Sequence, residues 1–446
     1  MKIIIAGAGS VGYHLAKLLS RENQDITIID SDDDVLDFVR DKLDVMTISG
    51  NATSLNVMEE AEVGSADLFI AVTTSEDTNM LTAILAKQKG AKKTIARVAN
   101  NEFLAIKQKE YFSKIGIDTL ISPTRLAALE IKRLIKRASL TDSYDFEEGR
   151  LSIVGFSIDA LSNLIGKTVA EINHGNSAFN YRGVAILRDH QTLIPRGSTH
   201  LRKGDHLYLS LKTKDIDQAM PFLGKQSKKI KNVMIIGDTP LTLRTAEMLQ
   251  DLYNVSVLMP NKNVGKKFLK TLNNCLVSIG DPSNKEFLES EGIERMDAFV
   301  ALTPNSEINI LTSLLAEESG VYKTIALVNN DVYTHISQNI GVDTIINKKI
   351  IAANNIFRFV RKGKIEAIAT LHGVDAEIIE FKITGEGRLT QLPLGELNLP
   401  HTCIVAGIIR GRTTLIPGGD FIMHVGDKVI IFVLPEAIKT VEEIFK

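Results

Sequence analysis

The chain has 446 residues, enough for roughly three or four domains of ordinary size. It is 44% hydrophobic and 24% charged, which are globular proportions and exclude long disordered tails. A formal net charge of −2 argues against a general nucleic-acid binder, and the densest basic cluster is confined to Lys225–Lys231. Two cysteines, Cys275 and Cys403, lie far apart without metal-type spacing and read as buried free thiols of a reducing compartment. The start, Met1-Lys2-Ile3-Ile4-Ile5, reads as a strand rather than a leader. No apolar run approaches the roughly 18 residues that a membrane span needs. Work at a membrane would therefore go through a partner.

In chain order, apolar β-rich runs at 3–7, 26–30, 45–49, 68–72 and 94–98 alternate with amphipathic stretches such as 11–21 and 79–90. Runs without polar alternation suit strands buried on both faces. Strand–helix alternation predicts a parallel, doubly wound α/β sheet with right-handed crossovers. The same unit is then written again. KIIIAGAGSVGYHLAKLL opens the chain and NVMIIGDTPLTLRTAEML opens at residue 232, with Gly7 matching Gly237 (237 − 7 = 230). The offset of 230 also carries IAVTTSEDTNMLTAILA at 70–86 onto VALTPNSEINILTSLLA at 300–316. After a short deletion, GIDTLISP at 116–123 matches GVDTIINK at 341–348, an offset of 225. Smaller strand-rich α+β units follow each copy. LIPRGSTHLRKGDHLYLSL (193–211) matches LIPGGDFIMHVGDKVIIFV (415–433), placing Asp205 on Asp427. The expected domains are 1–140 and 230–365 (large, parallel-sheet) and 141–222 and 366–446 (small, α+β), with joints near 140–150, 222–232 and 363–375.

The first large unit carries a dinucleotide fingerprint. Gly7-Ala8-Gly9-Ser10-Val11-Gly12 follows the first strand and opens a helix, the context that G-x-G-x-x-G requires. Gly7 permits the tight turn, Gly9 lets bare backbone approach a pyrophosphate, and Gly12 allows close helix–sheet packing. Free N–H groups and the dipole at the helix N-terminus favour the phosphate charge. Asp30 ends the second strand, where a carboxylate accepts hydrogen bonds from a ribose and repels a 2′-phosphate, favouring NAD or ATP over NADP. Its competing role is to cap the next helix, for which Ser31 and Asp32 are rivals. Thr73 and Thr74 follow the fourth strand at the ligand-binding edge, as ribose or phosphate contacts or as a helix cap. Asn51 stands in the same region of the repeat. Arg97 lies in an apolar strand, where a phosphate or Asp77 would partner its charge.

The second copy serves as an internal control. Gly9 becomes Thr239, Gly12 becomes Thr242, Thr74 becomes Pro304, Arg97 becomes Leu327, and Asp30 falls at Met259 or Pro260. Residues lost together behave as parts of one site, so the second unit is expected to bind dinucleotide poorly. Asp281, opposite Asn51, leaves room there for a different ligand. Segment 125–137 has Ala127, Ile131, Leu134, Ile135 and Ala138 on one face, and Lys132, Arg133, Lys136 and Arg137 on the other. It reads as a core helix with a solvated basic face, or as a coupling element between lobes or to a membrane partner. His190, His200 and His206 match no metal signature and read as surface histidines.

Two Rossmann-like units, each followed by a small domain carrying the Leu-Ile-Pro…Gly-Asp segment, resemble the tandem RCK architecture of the Trk potassium uptake regulatory (TrkA) family along essentially the whole chain. GAGSVG, Asp30 and the VTTSEDTN segment add to the likeness. The resemblance implies that Gly7 through Val11, Asp30, Thr73, Thr74 and Arg97 bind NAD(H), or ATP/ADP as in some relatives. It implies an integral membrane potassium-translocating partner of the TrkH/TrkG type. It also implies four tandem chains forming a ring of eight lobes, cytoplasmic and peripheral on the inner face of the membrane. No enzymatic chemistry is expected; the rival reading is an NAD-dependent dehydrogenase, and a redox-sensing transcription factor would need a helix-turn-helix and basic face that do not stand out.

Overall fold

The computed structural model describes all residues except 21–23, 139, 141, 148, 159–161, 175–178, 190, 224–227, 330–341, 361–364, 371–375 and 446. The first lobe contains β1 (Lys2–Ala6), α1 (Ser10–Ser20), β2 (Asp25–Asp30), α2 (Asp33–Lys42), β3 (Met46–Ser49), α3 (Leu55–Glu60), β4 (Leu68–Ala71), α4 (Glu76–Lys89), β5 (Lys93–Arg97), α5 (Ile106–Lys114), β6 (Thr119–Ile121) and α6 (Pro123–Lys136). Its six strands are parallel in the order β3-β2-β1-β4-β5-β6. The order reverses between β1 and β4, which makes that carboxyl edge the binding crevice of such sheets. β1 and β4 are buried almost throughout, as their continuous apolar runs predict. β3 is an edge strand with Met46 57% exposed, so its run is not buried on both faces.

The second lobe repeats this plan with β12 (Asn232–Ile236), α9 (Pro240–Leu249), β13 (Asn254–Met259), α10 (Lys262–Phe268), β14 (Cys275–Ile279), α11 (Lys285–Ser290), β15 (Ala298–Ala301), α12 (Ser306–Glu318), β16 (Lys323–Leu327), β17 (Thr344–Ile346) and α13 (Lys348–Val360). Its parallel order is β14-β13-β12-β15-β16-β17. Between and after the lobes lie two five-stranded antiparallel sheets. The first holds β7 (Asp142–Phe146), β8 (Leu151–Ser157), β9 (Tyr181–Arg188), β10 (Gln191–Leu193) and β11 (His206–Lys212), with helices α7 (Val169–His174) and α8 (Ile216–Phe222). The other holds β18 (Ile365–Thr370), β19 (Glu377–Lys382), β20 (Cys403–Arg410), β21 (Thr413–Leu415) and β22 (Lys428–Val433). The two small sheets share one core, in which Tyr144, Phe146, Ile153 and Tyr208 meet Ile378, Ala406, Ile430 and Phe432. Polar ties cross the same seam: Lys428 pairs with Glu147, Arg182 donates to the Pro417 carbonyl, and Arg150 Nη1 donates to the Gly411 carbonyl at 2.6 Å.

The lobes exchange their last helices. Ser122 caps α6 by accepting from Arg125 N–H at 3.3 Å, and Pro123 occupies its first turn. Ala127, Ala128, Ile131, Leu134 and Ile135 recur at helical spacing, and this stripe packs into the core of the second lobe beside α9. Reciprocally, Ala352, Ala353, Ile356 and Phe357 of α13 pack into the core of the first lobe beside α1. Burying one large apolar side chain contributes about 1.5–3 kcal/mol, so each lobe depends on the other's helix for part of its core. The 125–137 segment is thus a lobe–lobe element. Its basic face is only partly solvated: Arg133 pairs with Glu130 and lies 4.7 Å from the Tyr144 ring centroid, and Arg137 pairs with Asp145 at 2.7 Å. Lys323, 1% exposed, adds a polar latch by donating to the Leu140 carbonyl at 2.9 Å and to Thr344 Oγ1 at 2.8 Å.

Cys403 is buried as expected, whereas Cys275 is only partly so; burial pushes both thiols up to about 11. His206 shares a hydrogen bond with Ser157 Oγ at 3.3 Å; His190 lies outside the described residues. Among the described residues, no helix is long and apolar enough to cross a membrane.

Candidate functional site

A cavity of about 680 Å³ opens at the carboxyl edge of the first sheet, within the range of small-ligand sites. Of the fingerprint residues, Gly7, Gly9, Ser10 and Val11 line it, together with Asp30, Asn51, Thr73, Thr74 and Arg97. Ala8 and Gly12 do not. The Ala8 side chain is buried, and Ala8 instead borders a neighbouring cleft with Tyr13, His14 and Phe38. Gly12 is needed for packing: a Cβ there would stand 1.9 Å from the Gly7 carbonyl oxygen. Gly7 has φ +110°, a conformation that disfavours side chains, and a Cβ on it would meet Thr73 N at 2.8 Å.

The mouth of α1 is open. Gly9 precedes the helix and has no side chain with which to cap it, unlike Asp32 before α2, Ser75 before α4 and Ser122 before α6. A Cβ added to Gly9 meets nothing within 4 Å. The N-terminal N–H groups of α1 therefore face the cavity without a competing cap, which suits a diphosphate. The second lobe shows the alternative. There Thr239 accepts from Thr242 N–H and donates to the Leu302 carbonyl, each at 3.2 Å, so the cap satisfies itself. Gly9→Thr is expected to leave unfolding free energy within about 0.5 kcal/mol of the parent, because the side chain enters open space. It is expected to remove nucleotide binding, as read by calorimetry.

Asp30 does not cap α2; Asp32 does, accepting from Asp34 and Val35 N–H. The Asp30 carboxylate instead accepts from Ala8 N–H at 2.6 Å and Asp32 N–H at 3.1 Å, which ties the glycine turn to the end of β2. A carboxylate offers about four lone-pair positions, so acceptor capacity remains for a ribose. Asn51 Oδ1 holds its own turn by accepting from Thr53 N–H at 3.0 Å and Thr53 Oγ1 at 2.8 Å. Neither Thr73 nor Thr74 caps α4; Ser75 does. The Thr73 hydroxyl donates to Asn79 Oδ1 at 2.7 Å, while Thr74 is exposed at the rim.

Asn79 went unnoticed in the sequence. It is 1% exposed and stitches β4 to β5, with Nδ2 donating to the Thr73 and Arg97 carbonyls at 3.1 and 3.0 Å. Asn309 repeats these bonds in the second lobe, to Thr303 and Leu327. The signal was its survival in both copies, which marks scaffold rather than ligand contact. Arg97 shows no ion pair to Asp77 or to any described residue, and burial holds its guanidinium below its ordinary range. Three lining residues come from the second lobe: Asn329, Lys348 and Lys349. No reading of the first copy alone could have supplied them.

The TrkA-N domain family matches residues 3–123 and 233–348, and the TrkA-C domain family matches 153–224 and 378–446. The chain is 31% identical to the Trk system potassium uptake protein TrkA of Halomonas elongata, covering all of this chain and 99% of that protein. It is 32% identical to the protein of the same name from Haemophilus influenzae, covering 100% and 98%. Among solved structures, the GsuK RCK domain superposes with TM-score 0.62 at 16% identity, covering 100% of this chain and 94% of that one. A GsuK channel bound to NAD does so with TM-score 0.62 at 17% identity, covering 100% and 78%. At that identity the likeness shows the shared fold: paired parallel-sheet lobes with small antiparallel domains. With both domain families matched twice in order and relatives aligned along the full length, the chain belongs to the TrkA family of Trk system potassium uptake proteins.

Proposed function

We propose that this chain is a nucleotide-sensing regulatory subunit of a Trk-type potassium uptake system, with NAD(H) or ATP/ADP bound in the first lobe and no reaction of its own. The observation that carries the reading is the uncapped, glycine-lined mouth of α1 opposite Asp30. Gly7, Gly9, Ser10 and Val11 would hold the phosphates, Asp30 the ribose, Asn51 the adenosine side, and Thr73, Thr74 and Arg97 the far end. Relatives named as potassium uptake proteins, and a channel of the same fold bound to NAD, support it. The proposed partner is an integral membrane potassium-translocating subunit of the TrkH/TrkG type, which places the chain at the inner face of the cell membrane. Four chains would supply a ring of eight lobes, with units divided as 1–140, 141–222, 230–365 and 366–446.

Signalling follows from the exchanged helices. A ligand shifts a conformational equilibrium only by its differential affinity for the two states. A cavity lined by both lobes is positioned to have such a difference, because its volume changes when the lobes move. A tenfold difference is worth about 1.4 kcal/mol per site.

Asp30→Ala is expected to weaken nucleotide binding by roughly 10- to 100-fold, the loss of charge-assisted hydrogen bonds worth about 1.5–3 kcal/mol. Calorimetry with NAD+, NADH, ATP and ADP measures it, and unchanged affinity would remove Asp30 from the ribose role. The dehydrogenase alternative is tested by incubating the protein with NADH and carbonyl compounds. Turnover above background would overturn the regulatory reading, as would failure to co-purify with the membrane subunit under native conditions.

A further inference from the structure

The two large lobes carry opposite charge at the same place. Residues 32–44, from the cap of α2 to the turn before β3, hold six aspartates against Arg40 and Lys42, a net −4. The matching residues 262–274 of the second lobe (262 − 32 = 230) hold four lysines and no acid, a net +4. All six aspartates and all four lysines are exposed. Asp33, Asp37 and Asp41 follow one another at four-residue spacing along α2, and Lys262, Lys266 and Lys270 do so along α10 and just past its end. Rows of like charge at that spacing destabilise a helix. Arg40 pairs with Asp37 at 2.9 Å, whereas the four lysines form no ion pair among the described residues. An ordinary solvated surface intersperses the two signs. Here they are sorted by lobe.

Apolar side chains mark the same two faces. β3 and β14 are the outermost strands of their sheets, so each presents one backbone edge without a strand partner. Met46 on β3 and Leu276 on β14 answer each other in the repeat and are 57% and 59% exposed. Phe38 of α2 and Leu269 at the end of α10 are more than half exposed as well. α2 packs along β3, and α10 along β14. Each face is thus an apolar edge bordered by charge of one sign, the anatomy of an interface with a charged rim.

We propose that the acidic α2–β3 face of one chain docks on the basic α10–β14 face of a second copy of this chain. Both faces are exposed in the single chain, so neither satisfies the other there. Charge complementarity selects the occupant. First lobe against first lobe and second against second would each set like charges together, which disfavours both. First against second joins opposite signs and brings the equivalent Met46 and Leu276 to one apolar centre. Each chain carries both faces, so the contact passes from copy to copy and closes into a ring where the rotation permits. An anionic lipid surface would also attract the lysines, but it gives no role to the matched acidic face. A second copy uses both. The inference is independent of what occupies the nucleotide cavity.

The test is sedimentation velocity on the full chain at about 50 mM and about 500 mM salt, on either side of the ionic strength at which exposed charges are screened. Wild type should associate more strongly at low salt. Reversing the acidic face (Asp33→Lys, Asp37→Lys, Asp41→Lys) or the basic face (Lys266→Glu, Lys267→Glu, Lys270→Glu) should each weaken association by roughly tenfold or more, because three attractions become repulsions. An equimolar mixture of the two reversed proteins should associate as wild type does, and so should one chain carrying both reversals. These rescues separate the contact from misfolding, which no second reversal repairs. Association that ignores both reversals, or that neither the mixture nor the double reversal restores, would overturn the proposal. So would a basic-face reversal that abolishes co-sedimentation with phosphatidylglycerol vesicles while self-association stays unchanged, since that face would then belong to a membrane surface.

Discussion

Asp205→Ala should cost about 3–5 kcal/mol of stability in the first small domain, the price of leaving one member of a buried ion pair uncompensated. Asp205 is 1% exposed, and its two oxygens accept from Arg188 Nε and Nη2, each at 2.7 Å. One oxygen also accepts from Arg202 N–H at 2.8 Å. The carboxylate thus closes its own turn, made possible by Gly204 at φ +87°, and fixes the end of β9. Truncation strands a guanidinium whose side chain is 16% exposed, together with a backbone donor. The second small domain repeats the device with Asp427, Arg410 at 2.8 Å on both oxygens, and His424 N–H at 2.8 Å. There the arginine side chain is 35% exposed and can recover hydration, so Asp427→Ala should cost less, about 1–3 kcal/mol. Hydrogen exchange at the amides of β11 and β22 reads the two local opening energies separately. Equal losses in the two domains would show that arginine burial does not set the cost.

The Gly-Asp pair of the small domains was visible in the sequence as a repeated turn, but its partner was not. Arg188 and Arg410 lie 17 residues before their aspartates and are joined to them only by strand pairing. The large lobes were more legible. Continuous apolar strands and the glycine turn specify a doubly wound sheet locally, and the order of β1 and β4 then places Gly9, Asp30 and Thr73 at one edge. Arg97 was recognisable as a charge out of place, although its surroundings were not. The stripe on 125–137 announced a buried face without saying which sheet it buries against, because Ala127, Ile131 and Ile135 suit either lobe equally. The same ambiguity hid Lys348 and Lys349: a basic pair at a helix start looks solvated until the helix exchange brings it to the other lobe's cavity. Asn79 was concealed differently, since a buried amide that bonds only backbone and a neighbouring hydroxyl has no motif beyond its recurrence as Asn309.

Phe357→Ala should destabilise the first lobe by about 3–5 kcal/mol although the residue belongs to the second. Phe357 is 3% exposed and packs in the cluster that contains Ile3, Val11 and Leu15, so truncation opens a cavity under α1 itself. Ile356, 1% exposed, and Ala353 keep α13 in place, which limits the change to loosening rather than release. Two consequences follow from the position of α13, which begins with Lys348 at the nucleotide cavity and sends Ile356 and Phe357 into the first lobe's core. Hydrogen exchange should accelerate in β1 and α1 before it does in β12 and α9, because the cluster around Phe357 is built mainly from first-lobe residues. Nucleotide affinity should fall as well, because loosening α13 displaces Lys348 and Lys349 from the cavity wall. Protection lost in both lobes alike would mean that the cores are not built reciprocally. Unchanged nucleotide affinity would mean that α13 does not support the cavity.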